Sequence, residues 1–255
     1  MDNRFTFNED AHNYDKWRPT YCEELFQYIF AYGQLGARCN VLEVGIGTGQ
    51  ATKPFLRAGC EVTAVELGEE LAQYTSTKFQ YYDNFRVVHT TFEQFDGEPE
   101  SVDCLYSATA FHWIPEQQGY TKARELLKEG GTLALFWNRP FVSRQDDPLH
   151  MEIQRIYDTY RPSTTKIIEH EADKYAHRLQ TIQSYGFRDV ESKLYHVTRT
   201  FSAKDYIGLL NTYSDHRTME VSQKQALEQA ITAAILNYGD ILYVYDTIDL
   251  YVARK

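Results

Sequence analysis

Cysteine is scarce. Four residues in 255, Cys22, Cys39, Cys60 and Cys104, are too few for a disulfide scaffold, and none forms a CxxC pair. Three of them lie in or beside apolar runs, and the sequence predicts buried free thiols in a reducing compartment. Seven Pro and 14 Gly exclude a fibrous or Gly/Pro-rich chain. No stretch approaches the roughly 20 apolar residues of a membrane span. The start, Met1-Asp2-Asn3-Arg4-Phe5-Thr6-Phe7, has no apolar core of a signal peptide. Positive charge is short as well: 26 Lys+Arg against 36 Asp+Glu leave a net charge of -10, the wrong sign for a phosphate-binding footprint. These shortages predict a cytoplasmic chain whose partners are neither nucleic acid nor membrane.

The apolar supply is ordinary. A hydrophobic fraction of 43% with 24% charged residues is enough for a sizeable core and wrong for disorder. At about 100–200 residues per domain, the length predicts one large domain or one domain with a lid. Aromatics are plentiful at 15%, with 20 Tyr, which favours an aromatic interior or pocket.

From Arg38 to Asn138, short apolar runs alternate with helical ones. Strands are expected at Cys39–Val44, Glu61–Glu66, Phe85–Thr90, Val102–Ser107 and Thr132–Trp137. Helices are expected at Glu69–Lys78 and Gln117–Lys128. Nearly continuous apolar strands separated by helices mean a parallel sheet covered on both faces. That is a doubly wound α/β architecture, with ligands at the carboxyl ends of the strands. Residues 20–33 form an amphipathic helix ahead of it. Beyond it, helices are expected at Pro148–Tyr160, up to Tyr185, at Ala203–Tyr213 and at Gln223–Leu236. Val190–Thr200 reads as a strand, and Ile241–Tyr245 with Asp249–Ala253 as a final pair or one bent strand. The resulting division is an N-terminal helical segment 1–34, a core 35–140, a helical cap inserted at 141–185, and strands and helices 186–255 that complete the sheet and pocket.

The sharpest local signal is Glu43-Val44-Gly45-Ile46-Gly47-Thr48-Gly49-Gln50, a strand running into three alternate glycines. Glycine permits positive φ and a close approach of ligand to backbone. The spacing is Gly-x-Gly-x-Gly, not the Gly-x-Gly-x-x-Gly that seats a pyrophosphate, which argues against a dinucleotide. Glu66 ends the second strand where such folds set an acid on ribose hydroxyls. As a strand end it is expected to be only partly buried. Glu43 sits inside an apolar strand, where a carboxylate is costly without a partner. Loop amides or a cation are the expected partners, with a structural cap on the loop as a compatible reading.

These residues resemble the class I S-adenosylmethionine-dependent methyltransferases. The likeness rests on Val41–Gly49 (VLEVGIGTG), the acid at Glu66, and Leu126–Leu135 (LLKEGGTLAL). Ser107–Trp113 (SATAFHW) and Tyr14-x-x-x-Arg18-Pro19 look like the small-molecule branch, which includes trans-aconitate and ubiquinone/menaquinone-biosynthesis methyltransferases. The resemblance implies a seven-stranded, mostly parallel Rossmann-like sheet and S-adenosyl-L-methionine as cofactor. It implies that Gly45, Gly47 and Gly49 face the methionine part and ribose, that Glu66 takes the ribose diol, and that Leu67 lies against adenine. Thr91 stands where many members have an Asp for the adenine amino group, with Phe92 next and Glu93 as an alternative acceptor. The Ala108 carbonyl would face the cofactor's amino group, and Tyr14 and Arg18 would close over the site, Arg18 pairing with the cofactor carboxylate.

His112 and Trp113 follow the fourth strand, at the mouth of the sheet. His112 is a candidate general base, or a loop histidine bonded to backbone; a carboxylate acceptor needs no base. Trp113 is a packing residue or an aromatic wall. Trp137, Asn138 and Arg139 are candidates for the acceptor pocket, with Arg139 holding a carboxylate. His150, Tyr157, Tyr160 and Tyr213 are possible lining residues of the roof. No HExxH, Walker loop or Gly-x-Ser-x-Gly elbow is present, and no metal is expected. The expected function is methyl transfer to a small molecule, through a carboxylate or hydroxyl. The alternatives are a cofactor-binding sensor or assembly protein without transfer activity and, behind it, a nicotinamide-dependent oxidoreductase.

Overall fold

A computed structural model describes residues 15–163 and 172–255. Its elements run α1 (Glu23–Gly33), β1 (Asn40–Val44), α2 (Thr52–Arg57), β2 (Glu61–Glu66), α3 (Glu69–Lys78), β3 (Phe85–His89), β4 (Val102–Ala108), α4 (Glu116–Leu126) and β5 (Leu127–Phe141). They continue with α5 (Pro148–Tyr160), α6 (Ala172–Ser184), β6 (Arg188–Phe201), α7 (Ala203–Leu210), α8 (Ser214–Arg217), α9 (Val221–Asn237) and β7 (Leu242–Arg254). One seven-stranded sheet has the order β3-β2-β1-β4-β5-β7-β6. β1 to β5 pair in parallel, and β7 runs antiparallel to both β5 and β6. The order reverses between β1 and β4, and a crevice opens there at the carboxyl ends of the strands.

The strands alternate between two covered faces, because successive side chains point to opposite sides. Val41, Ala134, Phe136, Ile248 and Leu250 pack with α1 and α2, where Phe55 stacks on Tyr106 with ring centroids 4.1 Å apart. Leu42, Val44, Leu133, Leu135, Trp137 and Tyr251 pack with α4 and α6 on the other face. A third cluster joins α5, α7 and α9 to Phe201, Leu242 and Val244 at the end of the β6–β7 pair.

The segment 141–185 is divided between layers. α5 belongs to the third cluster, whereas Ile182 of α6 is buried on the sheet beside Phe187. α5 begins where the sequence expects, because Asp147 caps it by accepting from the amides of Leu149 and His150, and Pro148 sits in its first turn. β5 is longer than expected and passes through Gly130-Gly131, and of the two readings for the C-terminal residues, a pair or one strand, β7 is the single strand. The helix expected over Ala203–Tyr213 stops at Leu210, and a short turn of helix follows at Ser214–Arg217. All four cysteines are free; Cys60 and Cys104 are buried, Cys22 and Cys39 half-buried. Among the described residues, no helix is long and apolar enough to cross a membrane.

Candidate active site

A cavity of about 340 Å³ lies at the topological switch point. The glycine loop after β1, the ends of β2 and β3 and the β4–α4 connection line it, together with Arg18, Asn138, Tyr213 and Asp215.

Gly45 adopts φ +72°, and a Cβ there would stand 2.5 Å from the Ala110 Cβ. The Ala110 methyl packed against this left-handed position therefore demands glycine. Gly45 and Gly47 line the cavity; Gly49 does not. Its Cβ would meet the Phe79 ring at 2.4 Å, so it serves packing under the loop rather than the cavity wall. The loop amides are committed to the protein itself. Gly45 N–H donates to Val65 O at 2.9 Å, Gly49 N–H to Ile46 O at 2.9 Å, and Gly47 N–H to Glu66 Oε2 at 2.8 Å.

Glu66 also accepts from Gly68 N–H through Oε1, at 2.9 Å. It is 7% exposed, more buried than a strand end was expected to be, because the loop folds over it. Burial pushes its carboxyl up, and the amides of Gly68 and Gly47 pull it back. Each carboxylate oxygen keeps a second lone pair for a ligand diol. Leu67, Thr91, Phe92 and Glu93 line the cavity beside it, and the Thr91 hydroxyl accepts from Gln94 N–H at 3.1 Å.

Glu43 is partnered, but neither by the loop amides nor by a cation. Its Oε2 accepts from the hydroxyls of Thr52 and Tyr106, both at 2.7 Å. β1 places it on the face packed against α2, where two hydroxyls are the available donors. Burial raises its carboxyl from 4.5 to about 7, against the lowering effect of those hydroxyls.

Ala108 ends β4 within the cavity wall, and Thr109 follows with φ +56°, a conformation that costs a β-branched residue energy. The turn is held from three sides. Thr109 Oγ1 lies 2.9 Å from Tyr21 Oη and accepts from Asn138 N–H at 3.2 Å, while Thr109 N–H donates to Phe136 O at 2.8 Å. Tyr21 and Thr109, which the sequence reading missed, thus join the N-terminal segment to the switch point. Tyr21 lies three residues past the Arg18 signal and could have been found there.

Arg18 lines the cavity, donates to Thr212 O at 2.7 Å and stacks 4.6 Å over the Tyr213 ring. Tyr14 lies outside the described residues. Trp113 is a cavity wall, 37% exposed. Asn138 lines the cavity and donates from Nδ2 to Asp246 Oδ1 at 2.8 Å.

Three expectations are corrected. Trp137 is buried beneath the cavity, and its Nε1–H donates to His112 Nδ1 at 3.0 Å. Arg139 turns away from the cavity and makes a two-point ion pair with Asp249, at 3.0 and 3.3 Å. It is thereby engaged by β7 and does not reach an acceptor. His112 does line the cavity, but not as a ready base. An indole N–H is a donor only, so neutral His112 carries its proton on Nε2. Desolvation, reinforced by Arg178, Arg139 and Lys174, lowers this imidazole from 6.5 to about 4.

Of the roof candidates, only Tyr213 reaches the cavity. His150 is buried, accepting from Arg144 N–H at 3.2 Å and donating to Tyr243 O at 2.7 Å. Tyr157 bonds His216 at 3.1 Å.

Residues 41–131 match the family model described as a methyltransferase domain. An uncharacterized methyltransferase of Schizosaccharomyces pombe is 23% identical over 231 residues, covering 90% of this chain and 87% of that protein. An uncharacterized methyltransferase of Geobacillus sp. is 30% identical over 148 residues, covering 54% of this chain and 68% of that protein. Among solved structures, a phosphoethanolamine N-methyltransferase of Haemonchus contortus, complexed with phosphomonomethylethanolamine and S-adenosylhomocysteine, superposes with a TM-score of 0.59 at 13% identity. That superposition covers all of this chain and 60% of the nematode enzyme, and it speaks to fold alone.

Proposed function

The chain belongs to the methyltransferase family, and we propose that it moves a methyl group from S-adenosyl-L-methionine to a small-molecule acceptor held in the same cavity. The observation that carries this reading is the continuity of one cavity from Glu66 and the glycine loop to His112, Asn138 and Tyr213. Two reactants brought together there lose the entropy of encounter before they react, which supplies much of the acceleration for such a transfer.

The residues present fit the cofactor. Glu66, fixed by two backbone amides, takes the ribose diol. Leu67 and Phe92 flank the adenine, with Thr91 and Glu93 at its polar edge. Gly45 and Gly47 admit the methionine part against bare backbone, and the Ala108 carbonyl meets its amino group. Arg18 is the cation on the methionine carboxylate side. When bound, the cofactor supplies an electrophilic methyl on a sulfonium. Trp113 offers an aromatic face to that positive charge. The amides of Gly45, Gly47 and Gly49 are already bonded within the protein, which weighs against a diphosphate on those glycines and so against the nicotinamide reading.

Methyl-labelled cofactor incubated with the protein and a cell extract tests the acceptor class. Label in the small-molecule fraction is the expected result. Label confined to protein or nucleic acid overturns it.

A further inference from the structure

Tyr21 Oη and Thr109 Oγ1 lie 2.9 Å apart, although 88 positions separate them in the chain. The Tyr21 ring is fixed by its neighbours. It packs edge-on against Phe136, with ring centroids 4.7 Å apart, and against Phe26 at 6.5 Å. Three residues upstream, Arg18 ties the same segment to Thr212 O at 2.7 Å. The Tyr21 hydroxyl is therefore presented from a rigid frame.

Thr109 needs such a partner. β4 and β5 pair in parallel up to Ala108 and Phe136, and Thr109 N–H still donates to Phe136 O at 2.8 Å. The next bond of such a ladder runs from Asn138 N–H to Thr109 O. Here the Thr109 hydroxyl accepts from that N–H, at 3.2 Å, and the backbone turns into the left-handed region at φ +56°. A β-branched residue keeps that conformation only where its surroundings hold it. Both neighbours of Thr109 bear on the cavity. Ala108 lines it at the end of β4, and Ala110 lines it with a methyl 2.5 Å from where a Gly45 Cβ would stand. A relaxed Thr109 would shift both, and with them the gap between the glycine loop and the β4–α4 connection.

We propose that Tyr21 is a positioning residue for the methionine part of the cofactor, acting through Thr109. The Tyr21 hydroxyl fixes the Thr109 hydroxyl. That hydroxyl holds the turn, and the turn sets the Ala108 carbonyl and the approach of Ala110 to Gly45. Neither hydroxyl makes or breaks a covalent bond. This rests on the methyl-transfer reading above. In that reading adenine and ribose are held by other residues, Leu67, Phe92 and Glu66, so the effect of Tyr21 falls on the amino-acid part.

Calorimetry on the full chain tests this with two ligands, S-adenosylhomocysteine and 5′-methylthioadenosine, which lacks the amino-acid part. Y21F removes one oxygen and leaves the ring on Phe136. It should weaken S-adenosylhomocysteine about tenfold, the worth of one hydrogen bond, and methylthioadenosine by no more than about twofold. T109V removes the other hydroxyl and keeps the shape. It should weaken S-adenosylhomocysteine by at least about tenfold, and T109S, which restores the hydroxyl, should recover most of that loss. Y21F added to T109V should cost about twofold at most, because its partner is already gone. Unchanged affinity in Y21F overturns the proposal. So does an equal loss for both ligands, which a merely structural role would give, and so does a full tenfold loss of Y21F on top of T109V. A parent protein that binds neither ligand overturns the cofactor reading beneath it.

Discussion

The carboxylate of Glu66 bridges two turns of its own site, Oε2 accepting from Gly47 N–H at 2.8 Å and Oε1 from Gly68 N–H at 2.9 Å. The acid that ends β2 thus braces the loop that ends β1, and one side chain both shapes the cavity and faces into it.

Replacing it separates the two roles. E66Q keeps the shape but turns an amide toward one of two backbone donors. Cofactor affinity should fall roughly 10- to 100-fold, as for the loss of a charged hydrogen bond. The melting temperature should fall by only a few degrees, about 2–4 °C per kcal/mol at this size. Titration calorimetry and a circular dichroism melt read both. Unchanged affinity would remove Glu66 from the cofactor site.

Two glycines with nearly the same backbone angle should respond differently to alanine. Gly45 has φ +72° and a Cβ collision at 2.5 Å with Ala110; Gly130 has φ +73° and open space. G130A carries only backbone strain, about 1–2 kcal/mol. G45A adds displacement of the β4–α4 connection, and should cost several kcal/mol with loss of cofactor binding. Equal melting temperatures for the two variants would contradict this.

Glu43 gives the fold a pH dependence of definite sign. Its native carboxyl stands near 7 against 4.5 for an ordinary one, so the folded state holds the proton longer. The stability it contributes is complete below about pH 4.5 and is lost as pH rises through 7, at up to ~1.4 kcal/mol per pH unit. E43Q can still accept from Thr52 and Tyr106 and has no charge to bury. Chemical denaturation from pH 5 to pH 8 should show a flatter profile for E43Q, crossing above the parent at the alkaline end. Parallel profiles would contradict the assignment.

Asp249 pairs with both Arg139 and Arg178 in the sheet's covered face. D249N removes the buried carboxylate that both guanidinium groups share and should destabilise by about 3–5 kcal/mol. D249N combined with R139M and R178M should recover much of that loss. A melt of D249N indistinguishable from the parent would show that the cluster is not buried in solution.

Much of the core was legible because its signals are local. Glu61–Glu66 and Glu69–Lys78 match their expected bounds, being a β-branched run and a set of helix formers with Gly68 between them. Asp147-Pro148 announced α5 in the same way. The later strands were less legible because their logic is long-range. Asp246 and Asp249 look like breaks in β7, yet they are inward-facing and paired with Arg199, Arg139 and Arg178, remote in the chain. Gly130-Gly131 stands ahead of the expected strand Thr132–Trp137, yet lies inside β5, beside the register shift between Val102 and Cys104. The same distance hid the fate of Arg139, whose partner is 110 residues away, and of Trp137, which fills the sheet face and reaches His112 from below.

In the proposed function this cavity holds S-adenosylmethionine through the glycine loop and Glu66. Calorimetric titration of the full-length protein with S-adenosylhomocysteine, with NAD in parallel, tests it most directly. Saturable binding of S-adenosylhomocysteine that E66Q weakens, with little or no heat from NAD, is the expected result. Tighter binding of NAD, or no binding of S-adenosylhomocysteine, would contradict it.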